Sequence, residues 1–125
     1  MVVCLAGDGD FQMTGTEFQT AIQYDAPVIV IVVNNGMHGT IRMHQERDYP
    51  ERVIATDITG PDFAALARAN GGHGETVGRT DEFAAAFERA VASGKPAIID
   101  VAFEKEAITS TATLSAIRGK GKMRG

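Results

Sequence analysis

The chain has few of the features that mark cross-linked, membrane-spanning or nucleic-acid-binding proteins. It carries a single cysteine, Cys4, among 125 residues, so no disulfide can close within it. Its longest apolar run, Ala26 to Val33, falls far short of the roughly 20 residues a membrane helix needs. No charged-then-apolar leader opens it, and a cytoplasmic location is expected. Net charge is −4, which argues against general binding to nucleic acid. Internal repeats are absent. His38 and His44 stand six apart and His73 lies far along the chain, which is no spacing for a zinc site. Several motifs are missing as well. Gln12 occupies the third glycine position of a dinucleotide fingerprint begun at Gly7 and Gly9. There is no Walker A loop and no Gly-x-Ser-x-Gly elbow. Met13 and Gln19 stand where a calcium loop begun at Asp8 requires Gly and Glu.

What is present is concentrated between Val2 and Gly39. Val2 to Ala6 and Val28 to Val33 are short apolar runs rich in β-branched residues, the pattern of strands buried on both faces. The first stops at Gly7-Asp8-Gly9-Asp10 and the second at Asn34-Asn35-Gly36-Met37-His38-Gly39. Between them Thr14 and Glu17 have capping-box spacing, which predicts a helix over Thr16 to Tyr24 with Phe18, Ala21 and Ile22 facing the sheet. Strand, helix, strand is a βαβ unit with parallel strands and a right-handed crossover. Asp8 and Asn35 each follow the carboxyl end of a strand, and neighbouring strands lie about 4.8 Å apart. A carboxylate and an amide oxygen are hard donors suited to Mg²⁺ or Ca²⁺. The glycine turns with helix N-termini behind them favour an anion. Together these make a seat for a divalent ion and a diphosphate.

The same alternation continues. A short helix is expected over Thr40 to Glu46, and a surface loop from Arg47 to Gly60. Pro61 is placed at a helix start, with Phe63, Leu66 and Ala67 as the apolar stripe. His73 to Val77 reads as a strand, and Asp81 to Ala92 as a helix with Phe83, Phe87, Ala90 and Val91 inward. Ala97 to Ala102 reads as the last strand. The implied fold is α/β: a doubly wound, mainly parallel sheet with helices on both faces, three layers in all. Cys4 is expected as a buried thiol in a central strand. Residues 1–103 form the predicted domain and 104–125 a C-terminal extension, with a disordered basic tail over Gly119 to Gly125.

Gly7-Asp8-Gly9 followed by Asn34-Asn35, with 27 positions from Asp8 to Asn35, resembles the thiamine-diphosphate motif of the acetolactate synthase and pyruvate decarboxylase family. The resemblance runs from Val2 to about Phe103. It implies that Asp8, Asn35 and the backbone carbonyl of Met37 bind Mg²⁺. It also implies that Gly7, Asp8, Gly9, Asp10, Asn35, Met37, His38 and Gly39 surround the cofactor, thiamine diphosphate. Position 10 is often Ser in relatives; here it is Asp10, whose carboxylate repels a diphosphate unless it points away or reaches the metal shell. Gly39 to Glu46 leans towards acetolactate synthase-like members. The activity implied is decarboxylation or carboligation of 2-oxo acids by a lyase or transferase.

Related domains have further elements before the first strand, so the sheet is expected to lack its first elements and the chain to be part of a longer enzyme. The resemblance implies a homo-oligomer whose catalytic Glu comes from the pyrimidine-binding domain of a partner subunit. None of the carboxylates here maps onto that Glu, so no catalytic residue is expected in this chain. Two other readings compete: a non-catalytic remnant that binds cofactor or a partner chain, and a metal-dependent glycosyltransferase fragment using Asp8-Gly9-Asp10. The second leaves Asn34-Asn35 unexplained. Asn34 is expected to be structural and to hold its turn.

Overall fold

A computed structural model describes residues 1–123. In chain order the elements are β1 (Val2–Gly7), α1 (Asp8–Thr14), α2 (Phe18–Gln23), β2 (Val28–Asn34), α3 (Gly39–Asp48), α4 (Phe63–Ala69), β3 (His73–Val77), α5 (Phe83–Ala92), β4 (Ala97–Ala102) and α6 (Leu114–Lys122). They fall into two compact units, Met1–Asn34 with Gly60–Ala102, and Asn35–Thr59 with the residues from Phe103 on. No helix among the described residues is long and apolar enough to cross a membrane.

The first unit is a four-stranded parallel sheet in the order β1-β2-β4-β3. Strand period 2 sends alternate residues to opposite faces, and both faces of the central strands are covered. Val30, Val32 and Ile98 pack with Phe11, Phe18, Phe63 and Ala67 of α1, α2 and α4. Ile29, Ile99 and Val77 pack with Ala86 and Ala90 of α5, and Ile31, Val101, Phe83 and Phe87 join them. The expected three-layer α/β arrangement is therefore present. Phe11 meets Phe63 edge-to-face at 5.4 Å, a favourable aromatic geometry. Gly74 lets α4 lie directly on β3: a Cβ there would sit 2.0 Å from the Ala64 carbonyl oxygen.

Several expectations give way to the structure. Cys4 is exposed, because β1 is the edge of the sheet rather than a central strand; Val2, Val3 and Leu5 are exposed with it. The helix expected over Thr16 to Tyr24 is present as α2, Phe18–Gln23, but a further helix, α1, precedes it and begins at once after β1, at Asp8. Its start is set by the Asp10 carboxylate, which accepts the Gly7 N–H at 3.3 Å. Thr14 makes no side-chain cap, and Glu17 accepts the Thr20 hydroxyl at 2.8 Å instead. Pro61 lies outside α4, whose N-cap is Asp62; its carboxylate accepts the Ala65 N–H at 2.7 Å. In α5 it is Ala86 that turns inward, while Val91 is 42% exposed. The forecast loop from Arg47 starts later, since α3 continues to Asp48.

The second unit contains α3 and α6. The disordered tail predicted over Gly119 to Gly125 is instead helical as far as Lys122; residues 124 and 125 lie outside the described residues. The α6 N-cap is Thr113, whose hydroxyl accepts the Ala116 N–H at 3.2 Å. What orders the helix is charge. Glu46 of α3 is 1% exposed, and Arg118 of α6 forks onto it, with Nε donating to Oε2 at 2.8 Å and Nη2 to Oε1. The Glu51 N–H supplies a third bond at 3.0 Å. These donors, the Arg118 guanidinium foremost, outweigh burial and hold the Glu46 carboxyl at about 2.

Candidate functional site

The parallel pairing of β1 with β2 sets Gly7 opposite Val33, so both strands end at one edge of the sheet. There the chain leaves β1 into Asp8 and leaves β2 after Asn34. All four predicted residues of the first turn gather at the β1–α1 junction. Asp8 is the first residue of α1 and is 4% exposed. Its Oδ1 accepts the Gly9 N–H at 3.0 Å, and its carbonyl accepts the Gln12 amide at 3.2 Å. A buried carboxylate at a helix start is stabilised by the positive end of the helix. The exposed Asp10 turns back onto the Gly7 N–H.

At the same edge Asn34 donates from Nδ2 to Oδ1 of Asp100 at 3.1 Å, so its structural role has a partner. The sequence reading passed over Asp100. It is the only polar residue in the β4 sequence Ala-Ile-Ile-Asp-Val-Ala, and a lone carboxylate in an apolar strand was the signal available. Burial pushes its carboxyl up from the ordinary carboxylate value. The Asn34 amide and the Phe63 N–H oppose that shift, and the charges of Asp62 and Asp8 add to it.

The second turn, in the other unit, is built as a braced loop. Asn35 Oδ1 accepts the Met37 N–H at 3.1 Å. Gly36 takes φ +64°, the left-handed conformation that glycine adopts without strain. The segment Thr56–Ile58 runs alongside: His38 N–H donates to the Thr56 carbonyl at 2.8 Å, and Ile58 N–H to the Gly36 carbonyl at 2.9 Å. Met37 is 3% exposed, whereas His38 is exposed. Gly39 opens α3, and a Cβ there would come within 3.2 Å of the Asn35 amide. Beside the loop, Arg42 donates to the buried Thr56 hydroxyl at 2.9 Å, and Lys105 lies 3.8 Å from Asp57.

No group of three or more His, Cys, Asp or Glu side chains that could hold a metal occurs among the described residues. A donor set containing one carboxylate, an amide oxygen and a backbone carbonyl is poor for zinc. It fits Mg²⁺, which takes one or two protein carboxylates and completes its octahedron with phosphate and water.

A family model described as thiamine pyrophosphate enzyme, C-terminal TPP binding domain, matches residues 1–101. The acetolactate synthase large subunit IlvG of Mycobacterium tuberculosis is 39% identical over 100 residues, which cover 80% of this chain and 18% of that protein. The acetolactate synthase isozyme 2 large subunit of Escherichia coli is 33% identical over 105 residues, covering 83% and 19%. Among solved structures, benzoylformate decarboxylase from Polynucleobacter necessarius superposes with a TM-score of 0.75 at 30% identity, over 83% of this chain and 20% of that one. The thiamine diphosphate-dependent 4-hydroxybenzoylformate decarboxylase of Rhodococcus jostii gives 0.76 at 33% identity, with the same coverage. The chain thus spans about a fifth of the length of these relatives.

Proposed function

The chain belongs to the family of thiamine pyrophosphate enzymes, matching their C-terminal TPP-binding domain, and from that premise we propose that it holds Mg²⁺ and the diphosphate of thiamine diphosphate in an enzyme acting on 2-oxo acids. The observation that carries the reading is the pair of polar turns leaving adjacent parallel strands at one sheet edge, with the buried Asp8 opening a helix in the first. Asp8, Asn35 through Oδ1, and the Met37 carbonyl are the protein ligands. The Asn35 oxygen has a second lone pair to offer while it accepts the Met37 N–H. Gly7, Gly9, Asp10, His38 and Gly39 frame the diphosphate. Asp10, held on the Gly7 N–H, caps the helix and leaves the metal to Asp8.

When bound, the cofactor supplies the nucleophilic carbon that attacks a 2-oxo acid. The residues of this chain bind and orient it. Shielding of the reacting end and activation of the aminopyrimidine fall to a pyrimidine-binding domain of a partner subunit, within a cytoplasmic homo-oligomer. An acetolactate synthase-like carboligation or decarboxylation is the activity of that assembly, and nucleic acid and membrane are not partners.

The test is calorimetric titration of thiamine diphosphate with and without Mg²⁺, on the wild type and on Asp8→Ala. Binding that requires Mg²⁺ and disappears in the variant is expected. Asn35→Ala weakens binding less, since a neutral ligand is lost. Wild-type affinity in Asp8→Ala overturns the ligand assignment, and wild-type affinity in Asn35→Ala removes Asn35 from it.

A further inference from the structure

We propose that Asp100 is a positioning residue for the metal-binding turn: by holding Asn34 it fixes the direction in which the chain leaves β2 towards Asn35. The inference rests on the functional reading above and extends it to a residue outside the motif. Asp100 is 7% exposed, flanked in its strand by Ile98, Ile99 and Val101. It pairs in register with Val32, so it lies on the sheet face of Val30, Val32 and Ile98, and the last rung between β2 and β4 joins Asn34 to Ala102.

The fold has no need of a carboxylate there. A parallel strand buried on both faces is well served by Val or Ile, and an ionised group is costly to bury unless it is hydrogen-bonded. What Asp100 does is accept. Its Oδ1 takes the Asn34 Nδ2 proton at 3.1 Å across the β2–β4 boundary. The Phe63 backbone, at the first residue of α4, also favours the charged form of this carboxylate.

The last residue of β2 is thereby held by its side chain as well as by the ladder, and the next peptide bond leads into Asn35. An amide ligand needs this more than a carboxylate does. Attraction to the ion does less to correct a misdirected neutral oxygen. Groups that orient metal ligands from outside the coordination sphere typically change affinity by about 10- to 100-fold when removed.

The experiment is Mg²⁺-dependent binding of thiamine diphosphate, measured with the thermal midpoint, in the intact protein. Asp100→Leu should lose about 10- to 100-fold in affinity, measured well below its thermal midpoint so that the loss is read on folded protein. Asn34→Ala removes the same bond from the other side and should lose as much. The double variant should be no worse than either single one, because the two residues act through one contact. Asp100→Asn keeps an acceptor oxygen and should restore most of the affinity. Wild-type affinity in Asn34→Ala, or losses that multiply in the double variant, overturns the proposal. If Asp100→Leu fails to fold, Asn34→Ala and Asp100→Asn decide it. Absence of Mg²⁺-dependent binding in the wild type defeats the functional reading itself, and this inference with it.

Discussion

The two units of the chain are held together by different physics. In the sheet unit the buried positions are almost all apolar, and Val32, Phe63, Ala97, Ile98 and Ile99 are fully enclosed. In the other unit the most deeply buried side chain is a charged one, Glu46, with Thr56 beside it in rank. Hydrophobic burial is non-directional and proportional to area, so the sheet unit tolerates many sequences of the right pattern. A buried carboxylate tolerates few, because its stability depends on each donor being in place. The comparison predicts that the sheet unit breaks through shape and the loop unit through charge.

The largest effect expected is in the sheet unit. Gly74→Ala puts a methyl 2.0 Å from the backbone oxygen of Ala64, in a helix residue that is itself fully buried. No flexible side chain is there to yield, so β3 and α4 must part. A loss of about 4 kcal/mol or more is expected, read as a collapse of the denaturant midpoint. An unchanged midpoint would mean that this close approach is not part of the fold.

In the loop unit Glu46→Gln removes the charge but keeps the shape. It leaves Arg118, 30% exposed, and Arg42, 18% exposed, without their counter-ion. Arg42 Nε is buried with no hydrogen-bond partner among the described residues. Breaking a buried pair costs about 3–5 kcal/mol; the partial exposure of Arg118 argues for the lower end. Amide exchange should accelerate in α6 and stay slow in β4. Equal acceleration in both would abolish the distinction between the units.

Acid sharpens the same contrast. The folded Glu46 carboxyl titrates at about 2 instead of 4.5, so its contribution is complete above pH 4.5 and is lost as pH falls towards 2. Glu75 in the sheet unit is likewise held at about 2, first by Arg89 and then by His73, but Arg89 is 58% exposed, where solvent screens the pair. Exchange measured from pH 6 to pH 2.5 should therefore show α6 opening before β4. The reverse order would place the acid-sensitive latch in the wrong unit.

This difference also explains what could be read from the sequence. The run Val28 to Val33 announced β2, and the turns at Asp8 and Asn35 announced where β1 and β2 end, because period and punctuation are local signals. The order of the strands was not local: Cys4 sits in a run as apolar as a central strand, yet β1 is an edge. The start of α1 was hidden because Asp10 caps Gly7, a pairing that looked like a phosphate-site substitution. Asp100 stood out in β4 but its partner Asn34 lies 66 residues away. From Gly119 on, α6 reads as a tail because Lys120 and Lys122 look solvated in sequence. Only the fold brings Arg118 to Glu46, 72 positions distant.

The smallest effect expected involves one of the shortest ion pairs in the chain. Lys122 Nζ lies 2.6 Å from Glu51 Oε1, on the same α6 that carries Arg118. Distance alone would rank it with the Arg118–Glu46 pair. Exposure ranks it far lower, because its side chains are 51% and 63% exposed against 30% and 1%. Water of high dielectric weakens the attraction, and holding two long side chains in one geometry costs rotamer entropy. Lys122→Ala should therefore change stability by about 0.5 kcal/mol or less. That small change should fade further in high salt, as screening shortens the reach of surface charge. A double-mutant cycle on each pair, run at low and high salt, separates the cases: Lys122–Glu51 should show little coupling and Arg118–Glu46 a large coupling that salt barely moves. If the two couplings were equal, contact length and not burial would govern the charged unit, and the contrast with the sheet would lose its physical basis.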